Sequence, residues 1–422
     1  MIISESKIPS IVITPSISLI DSPVEINIVG IEPGQEVVIR AQRVVEGKKN
    51  IYLSSYATFI GNDEGKIELN SQAPINGTYS CVDGMGLFWS LEVTKVEEGT
   101  NTSLVSTPVA PQTVTFSLEI ENSIVTETKI TRLWKAENIT RTPIREKGII
   151  GTFFCQEDGH PLPPIIVLGG SEGGINEYMA SLLASHGFAV LALAYFGMEG
   201  LPKRAVNVPL EYIEAAIDWV KNRLEVKPGW LGIHGTSKGS ELALLSASLF
   251  PDIKAVVSLN GSAIAFSGIV PWTDEEFLPP AWIYNGKAFP YASPKNPIDV
   301  ALECLEMQKN GQGNPLSKWY NALAANPEVV EKAVIPVERI NGDILLISGE
   351  EDITLPFAEI AMERLKNNKF VFSYKHLVYP KAEHSIGVPY VFYNQGNKKY
   401  TAAASLDSWR KTIDFYFRSV VR

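Results

Sequence analysis

The string Gly235-Thr236-Ser237-Lys238-Gly239 sets a serine between two glycines, directly after the apolar run 230–234 and directly before the helix-prone stretch Lys238–Leu249. Glycines at these positions let a chain turn sharply from strand to helix without a Cβ clash. Such a turn lifts the serine above the sheet edge at the positive end of a helix. A serine hydroxyl becomes a useful nucleophile only when a base removes its proton. Five histidines are available. His160 falls in a polar turn, His186 ends a helix, His234 ends the strand that feeds Ser237, and His376 lies within a strand. His384 follows the last apolar strand, in the loop Pro380-Lys381-Ala382-Glu383-His384-Ser385. That is the position in which chain order Ser…Asp/Glu…His puts the base.

An acid that orients the imidazole belongs after a strand between the serine and the histidine. The run 344–348 is such a strand, and Gly349-Glu350-Glu351-Asp352 follows it. Asp352 is the expected member, with Glu351 as the alternative; an ordinary solvated acidic turn is the competing reading of the glutamates. Two backbone N–H groups are needed for the developing oxyanion. One is expected from Lys238, and the other from Gly170 or Ser171 in the glycine-rich turn 169–174. That turn lacks the G-x-G-x-x-G spacing of a dinucleotide-binding loop. The chemistry calls for no cofactor and no metal.

The elements that position these residues follow an α/β pattern from about residue 136. Apolar strands at 165–168, 189–193, 230–234, 254–259, 343–348 and 371–378 alternate with helices at 177–186, 209–224, 238–249, 356–365 and 402–421. This alternation predicts a mostly parallel sheet flanked by helices. On the helix 209–224, Ile213, Ala216, Ile217, Val220 and Leu224 share one face. Residues 262–338 interrupt the alternation with Pro271, Trp272, Pro279, Pro280, Trp282 and Tyr284, then helical material, as a cap over the sheet edge would. Trp272 and Trp282 are expected to form an apolar wall above Ser237. Residues 1–135 read as a separate all-β sandwich domain, with short runs rich in Val, Ile, Tyr and Thr, including 24–29, 36–44, 51–59 and 87–93, between turns such as Glu32-Pro33-Gly34. The polar stretch 96–112 is expected to be a loop or crossover.

Bulk properties narrow the function. At 422 residues, more than one domain is expected. A net charge of -10 disfavours general nucleic-acid binding, which needs a basic footprint. Three scattered cysteines form no disulfide framework and suit a reducing compartment. The first residues show no basic segment followed by an unbroken apolar run, and no stretch reaches membrane-spanning length, so a cytoplasmic protein with no membrane partner is expected. Its oligomeric state is not legible.

The chain resembles the acyl-CoA thioesterases and bile-acid-CoA:amino-acid N-acyltransferases. The resemblance rests on the segment running from Tyr79-Ser80-Cys81-Val82-Asp83-Gly84 through Met85-Gly86-Leu87-Phe88-Trp89-Ser90-Leu91, on Glu177-Tyr178-Met179-Ala180-Ser181-Leu182-Leu183-Ala184, and on Ala192-Leu193-Ala194-Tyr195. It continues through Gly235–Gly239, Asn260-Gly261-Ser262 and Glu383-His384-Ser385 to Pro389-Tyr390. It implies an Ig-like N-terminal domain followed by an α/β-hydrolase domain, with catalytic Ser237, Asp352 and His384. The implied activity is hydrolysis of acyl-CoA to acid and CoA through an acyl-enzyme; the alternatives are a carboxylesterase on oxyesters or an amino-acid N-acyltransferase. The sequence departs from the family at Glu172, where the family tends to have glycine or an apolar residue, and at Met179, where it usually has arginine. The family's transferases use cysteine as nucleophile, so Ser237 favours hydrolysis. A catalytically silent binding protein is the rival from another class.

Overall fold

The structure is a computed structural model that describes residues 8–45, 50–97, 109–157, 159–270, 278–393 and 396–421. Pro271, Trp272 and most of the stretch 96–112 lie outside the described residues. The chain forms two compact units, Met1–Ala136 with Val388–Leu406, and Glu137–Gly387 with Asp407–Arg422. The return of Val388–Leu406 to the first unit has no counterpart in the sequence pattern, which separates the two domains once, near residue 136.

The first unit is mostly β structure, with the helical turn Gly86–Trp89 and the first residues of the helix Lys398–Val421. A three-stranded sheet orders Ser10–Thr14, Glu25–Val29 and Lys66–Glu68, and a larger sheet is built around the long antiparallel pair Glu36–Val45 and Ile51–Ile60. Period-two burial follows from the pleat: Val37, Ile39 and Ala41 face the core while their neighbours do not. Ile26 and Ile28 from the small sheet and Phe59, Phe116 and Leu118 from the large one share that core, joined by Tyr390 and Tyr393 from the returning segment. The run 87–93 differs from the expected strand. Gly86–Trp89 is a helical turn and the strand is Glu92–Val96. Leu87, Phe88 and Trp89 are all buried in this turn. Asp83 fixes this turn by accepting from the Met85 N–H at 2.8 Å and from Trp89 Nε1 at 2.7 Å.

The second unit is an α/β fold on an eight-stranded sheet. Its spatial order is Ile139–Glu146, Ile149–Gln156, Ala189–Leu193, Pro164–Leu168, Gly232–Thr236, Ala255–Leu259, Asp343–Gly349 and Tyr374–Tyr379. The first two strands pair antiparallel, and the six from Ala189–Leu193 onward run parallel. Pro164–Leu168, Ala189–Leu193, Ala255–Leu259 and Asp343–Gly349 are buried at every residue, as strands covered on both faces must be. The helix Glu211–Lys221 stops before Leu224, which is 93% exposed rather than part of the apolar face. Among the described residues no helix is long and apolar enough to cross a membrane.

Residues 262–338 sit between the strands Ala255–Leu259 and Asp343–Gly349. They contain the short strands Trp282–Tyr284 and Lys287–Ala288 and three helices, Pro297–Asn310, Pro315–Ala324 and Pro327–Ala333. Each helix opens with Asn-Pro, where the fixed φ of proline suits the first turn and its missing N–H costs nothing. Ile264, Ala292, Leu323 and Ala333 pack with Phe357 into a small core of their own. Trp282 is not the apolar wall expected from the sequence. It is 1% exposed within the main core, because its Nε1 donates to the buried Glu241 carboxylate and its ring packs near Tyr195.

Candidate active site

The strand Gly232–Thr236 lies in the middle of the parallel sheet, and Ser237 stands at its end, before the helix Lys238–Leu249. Ser237 has φ 53 and ψ -117, a conformation that costs a non-glycine residue of order 1–3 kcal/mol. Both flanking glycines are required. A Cβ on Gly235 would lie 2.1 Å from the Gly239 carbonyl oxygen, and one on Gly239 would lie 2.2 Å from that of Gly169. The strain is held by long-range pairing: the Ser237 N–H donates to the Leu259 carbonyl of the neighbouring strand at 2.9 Å.

Ser237, Asp352 and His384 converge at the carboxyl edge of this sheet. His384 Nε2 is 2.9 Å from Ser237 Oγ, and His384 Nδ1 lies 3.0 and 2.9 Å from the two oxygens of Asp352. The Asp352 side chain is fully buried, whereas Glu350 and Glu351 are exposed. Asp352 Oδ1 also accepts from the Thr354 N–H and Oγ1, each at 2.8 Å. Burial pushes the Asp352 carboxyl up. The His384 hydrogen bond and charge, with the Thr354 donors, outweigh burial and hold it below the usual aspartate range. Burial likewise lowers His384, but the hydrogen bond and charge of Asp352, with Glu172 adding, hold it above the ordinary imidazole value. A hydroxyl facing an imidazole that faces a buried carboxylate is an arrangement able to pass the Oγ proton to nitrogen. The remaining histidines are elsewhere in the fold. His234 is buried in its strand and lowered to about 4 by desolvation, His376 Nε2 is 2.9 Å from Ser348 Oγ, His186 ends the helix Glu177–Ser185 near Trp409, and His160 is exposed.

The expected oxyanion donors fare differently. Lys238 is the first helical residue, so its N–H is one of the first-turn donors without an intrahelical acceptor. Gly170 is beside Ser237, since a Cβ built on it would lie 3.3 Å from Ser237 Cβ. Its N–H, however, donates to Glu172 Oε1 at 3.0 Å. Ser171 is exposed in the same turn. The turn is held from below by the buried Tyr195, whose hydroxyl donates to the carbonyls of Gly169 and Gly170.

The Lys238 side chain points away from this edge into a buried cluster. Its Nζ donates to both Glu241 oxygens and to the carbonyls of Phe266 and Ser267, and it lies 5.1 Å from the centroid of the Trp282 ring. Burial presses Lys238 down and Glu241 up, toward their neutral forms, and their mutual attraction opposes it. Among the supporting residues, Thr354 was recoverable from sequence as the second residue after an aspartate, the spacing of an Asx turn. Tyr195 and Glu241 carried no local signal.

Residues 208–421 match the family model described as BAAT / Acyl-CoA thioester hydrolase C terminal, and residues 21–146 match the Acyl-CoA thioester hydrolase/BAAT N-terminal region. Acyl-coenzyme A amino acid N-acyltransferase 2 of Mus musculus is 31% identical, over 90% of this chain and 87% of its own. Acyl-coenzyme A thioesterase 1 of Mus musculus is 30% identical, over 95% of this chain and 94% of its own. The mitochondrial acyl-coenzyme A thioesterase 2 of Homo sapiens is 28% identical, over 94% and 81%.

Proposed function

We propose that this chain, which belongs to the acyl-CoA thioester hydrolase/BAAT family, cleaves acyl-CoA thioesters to the free acid and CoA with Ser237 as nucleophile, His384 as base and Asp352 as its orienting acid. The observation that carries the reading is the unbroken line from the buried Asp352 carboxylate through His384 to Ser237 Oγ, each contact about 3 Å, at the head of a strained strand-to-helix turn.

His384 takes the Oγ proton as Ser237 attacks the acyl carbonyl, and Asp352 stabilises the imidazolium that forms. The Lys238 N–H faces the developing oxyanion, with a second donor from the turn holding Gly170 and Ser171. The CoA thiolate leaves and takes up the imidazolium proton, directly or through solvent, so that an acyl-enzyme ester on Ser237 faces a neutral His384. His384 then takes a proton from the attacking water and returns it to Ser237 Oγ as the acid is released. A thiolate is a good leaving group, so protonation by His384 matters less than it would for an oxyester. The three free cysteines suit a cytoplasmic setting.

A second reading has an amine as acyl acceptor, and a relative named as an amino acid N-acyltransferase favours it. One experiment tests both. Thiol release is followed across an acyl-CoA series and matched oxyesters, with products identified by mass spectrometry in the presence of glycine or taurine. Free acid as the main product, with turnover falling around a million-fold in a folded Ser237→Ala variant, is expected. Turnover of oxyesters alone replaces the thioesterase with a carboxylesterase, and mostly N-acyl product replaces it with a transferase.

A further inference from the structure

The backbone around Asn260 joins the three loops that meet at Ser237, and we infer that Asn260 is the positioning residue that sets His384 against the nucleophile. This rests on the assignment of His384 as the base.

Asn260 follows the strand Ala255–Leu259, which lies between the strand leading to Ser237 and the strand leading to Asp352. The preceding residue, Leu259, accepts the Ser237 N–H at 2.9 Å, so the nucleophile's turn is tied to this point. The Asn260 N–H donates to the Ile347 carbonyl at 2.8 Å, which ties it to the acid's strand. Its side chain supplies the third link. Nδ2 donates to the His384 carbonyl at 3.0 Å and to the Ile386 carbonyl at 2.8 Å. The loop that carries the base therefore hangs on both hydrogens of one amide. On its far side the same loop is held by the Glu351 N–H, which donates to the Ala382 carbonyl at 3.0 Å.

The chemistry of the position selects asparagine. Two carbonyl oxygens converge on one buried side chain, 1% exposed, and only a group with two donors on one atom satisfies both. The orientation of the amide is fixed by those acceptors, because the opposite flip would bring Oδ1 against two carbonyls. The backbone has φ 51, a left-handed conformation that asparagine, aspartate and glycine tolerate better than other residues. The His384 turn cannot hold itself as firmly. Its ring is half-buried at the open edge of the site, and the ring's own contacts are the two groups it must serve during turnover.

Two substitutions keep the left-handed backbone accessible while removing the donors. Asn260→Asp preserves shape and volume but turns acceptors toward two carbonyls, and Asn260→Gly leaves space that the loop can move into. If the amide positions His384, kcat on the best acyl-CoA falls in the order Asn, Gly, Asp, by about a hundredfold for Asn260→Gly, the cost of displacing a reacting group by about an ångström. KM stays within about twofold, since uniform binding is untouched. If Asn260 merely fills space, the isosteric aspartate is the mildest change and the order reverses. A double-mutant cycle provides a second readout: in a His384→Ala background, Asn260→Gly has no further effect on residual turnover. Wild-type kcat in Asn260→Gly, the reversed order, or full additivity in the cycle overturns the inference. Retention of activity by His384→Ala alone overturns instead the assignment of the base, so the two failures are distinguishable.

Discussion

Replacement of Asp352 by asparagine tests the site most sharply, because the structure dictates how the amide will sit. In the wild-type protein Oδ1 accepts two hydrogen bonds from Thr354, one from its N–H and one from its Oγ1. In Asp352→Asn the amide oxygen keeps those two donors, and the NH2 group is left facing His384 Nδ1. Two donors cannot share that contact, so Nδ1 gives up its proton and the imidazole carries it on Nε2. Nε2 then donates to Ser237 Oγ instead of accepting from it, and the base is in the wrong tautomer. The imidazolium formed during turnover also loses its counter-charge. In serine proteases the equivalent change costs about 10⁴-fold in kcat, or roughly 5 kcal/mol of barrier. A loss of that size is expected here, with KM nearly unchanged and a normal melting temperature. Glu351→Gln is the control, as its side chain is exposed, and it should stay within about twofold of wild type. The assay is steady-state thiol release, with fluorophosphonate labelling of Ser237 as an independent rate. A loss below tenfold for Asp352→Asn, or a larger loss for Glu351→Gln, refutes the tautomer reasoning.

The pH profile follows from the same geometry. The proposed base His384 can accept a proton only when neutral, and Asp352 holds its pKa above the ordinary imidazole value. The acid limb of kcat/KM should therefore titrate above about pH 6.5 and move to lower pH in Asp352→Asn; a limb already below that value in the wild type contradicts it. Glu172→Ala frees the Gly170 N–H, a candidate second oxyanion donor in the proposed mechanism, and removes a negative charge from next to it. A rise of severalfold in kcat/KM is expected, and a fall would show that the carboxylate assists turnover. Trp282→Ala should destabilise the protein by about 3–5 kcal/mol in urea melts, with its lost packing and the lost Nε1 donor to Glu241 both contributing. A marginal stability change with altered acyl-chain preference would restore Trp282 to the substrate wall.

Local patterns made a large part of this protein legible. Glycines two residues either side of Ser237 signal a turn because backbone approach there excludes any Cβ. Continuous apolar runs mark strands covered on both faces, and His384 lies in the loop after the final strand of the sheet, where chain order in this fold puts a base. These are properties of adjacent residues, so they survive in one dimension. What the tertiary structure decided are choices between neighbours and between distant partners. The acidic turn after the strand Asp343–Gly349 offered two candidates one residue apart, and only folding turns Asp352 inward onto Thr354 while leaving Glu351 in solvent. The run Leu87–Trp89 looks like a strand until Asp83 closes a helical turn there by accepting from the Met85 N–H and from Trp89 Nε1. Trp282 looks like a substrate wall until Glu241, 41 positions earlier, draws its indole into the core. The link from Asn260 to His384 spans 124 positions. No periodicity or spacing can encode such a contact, because it exists only once the sheet has set the two loops side by side.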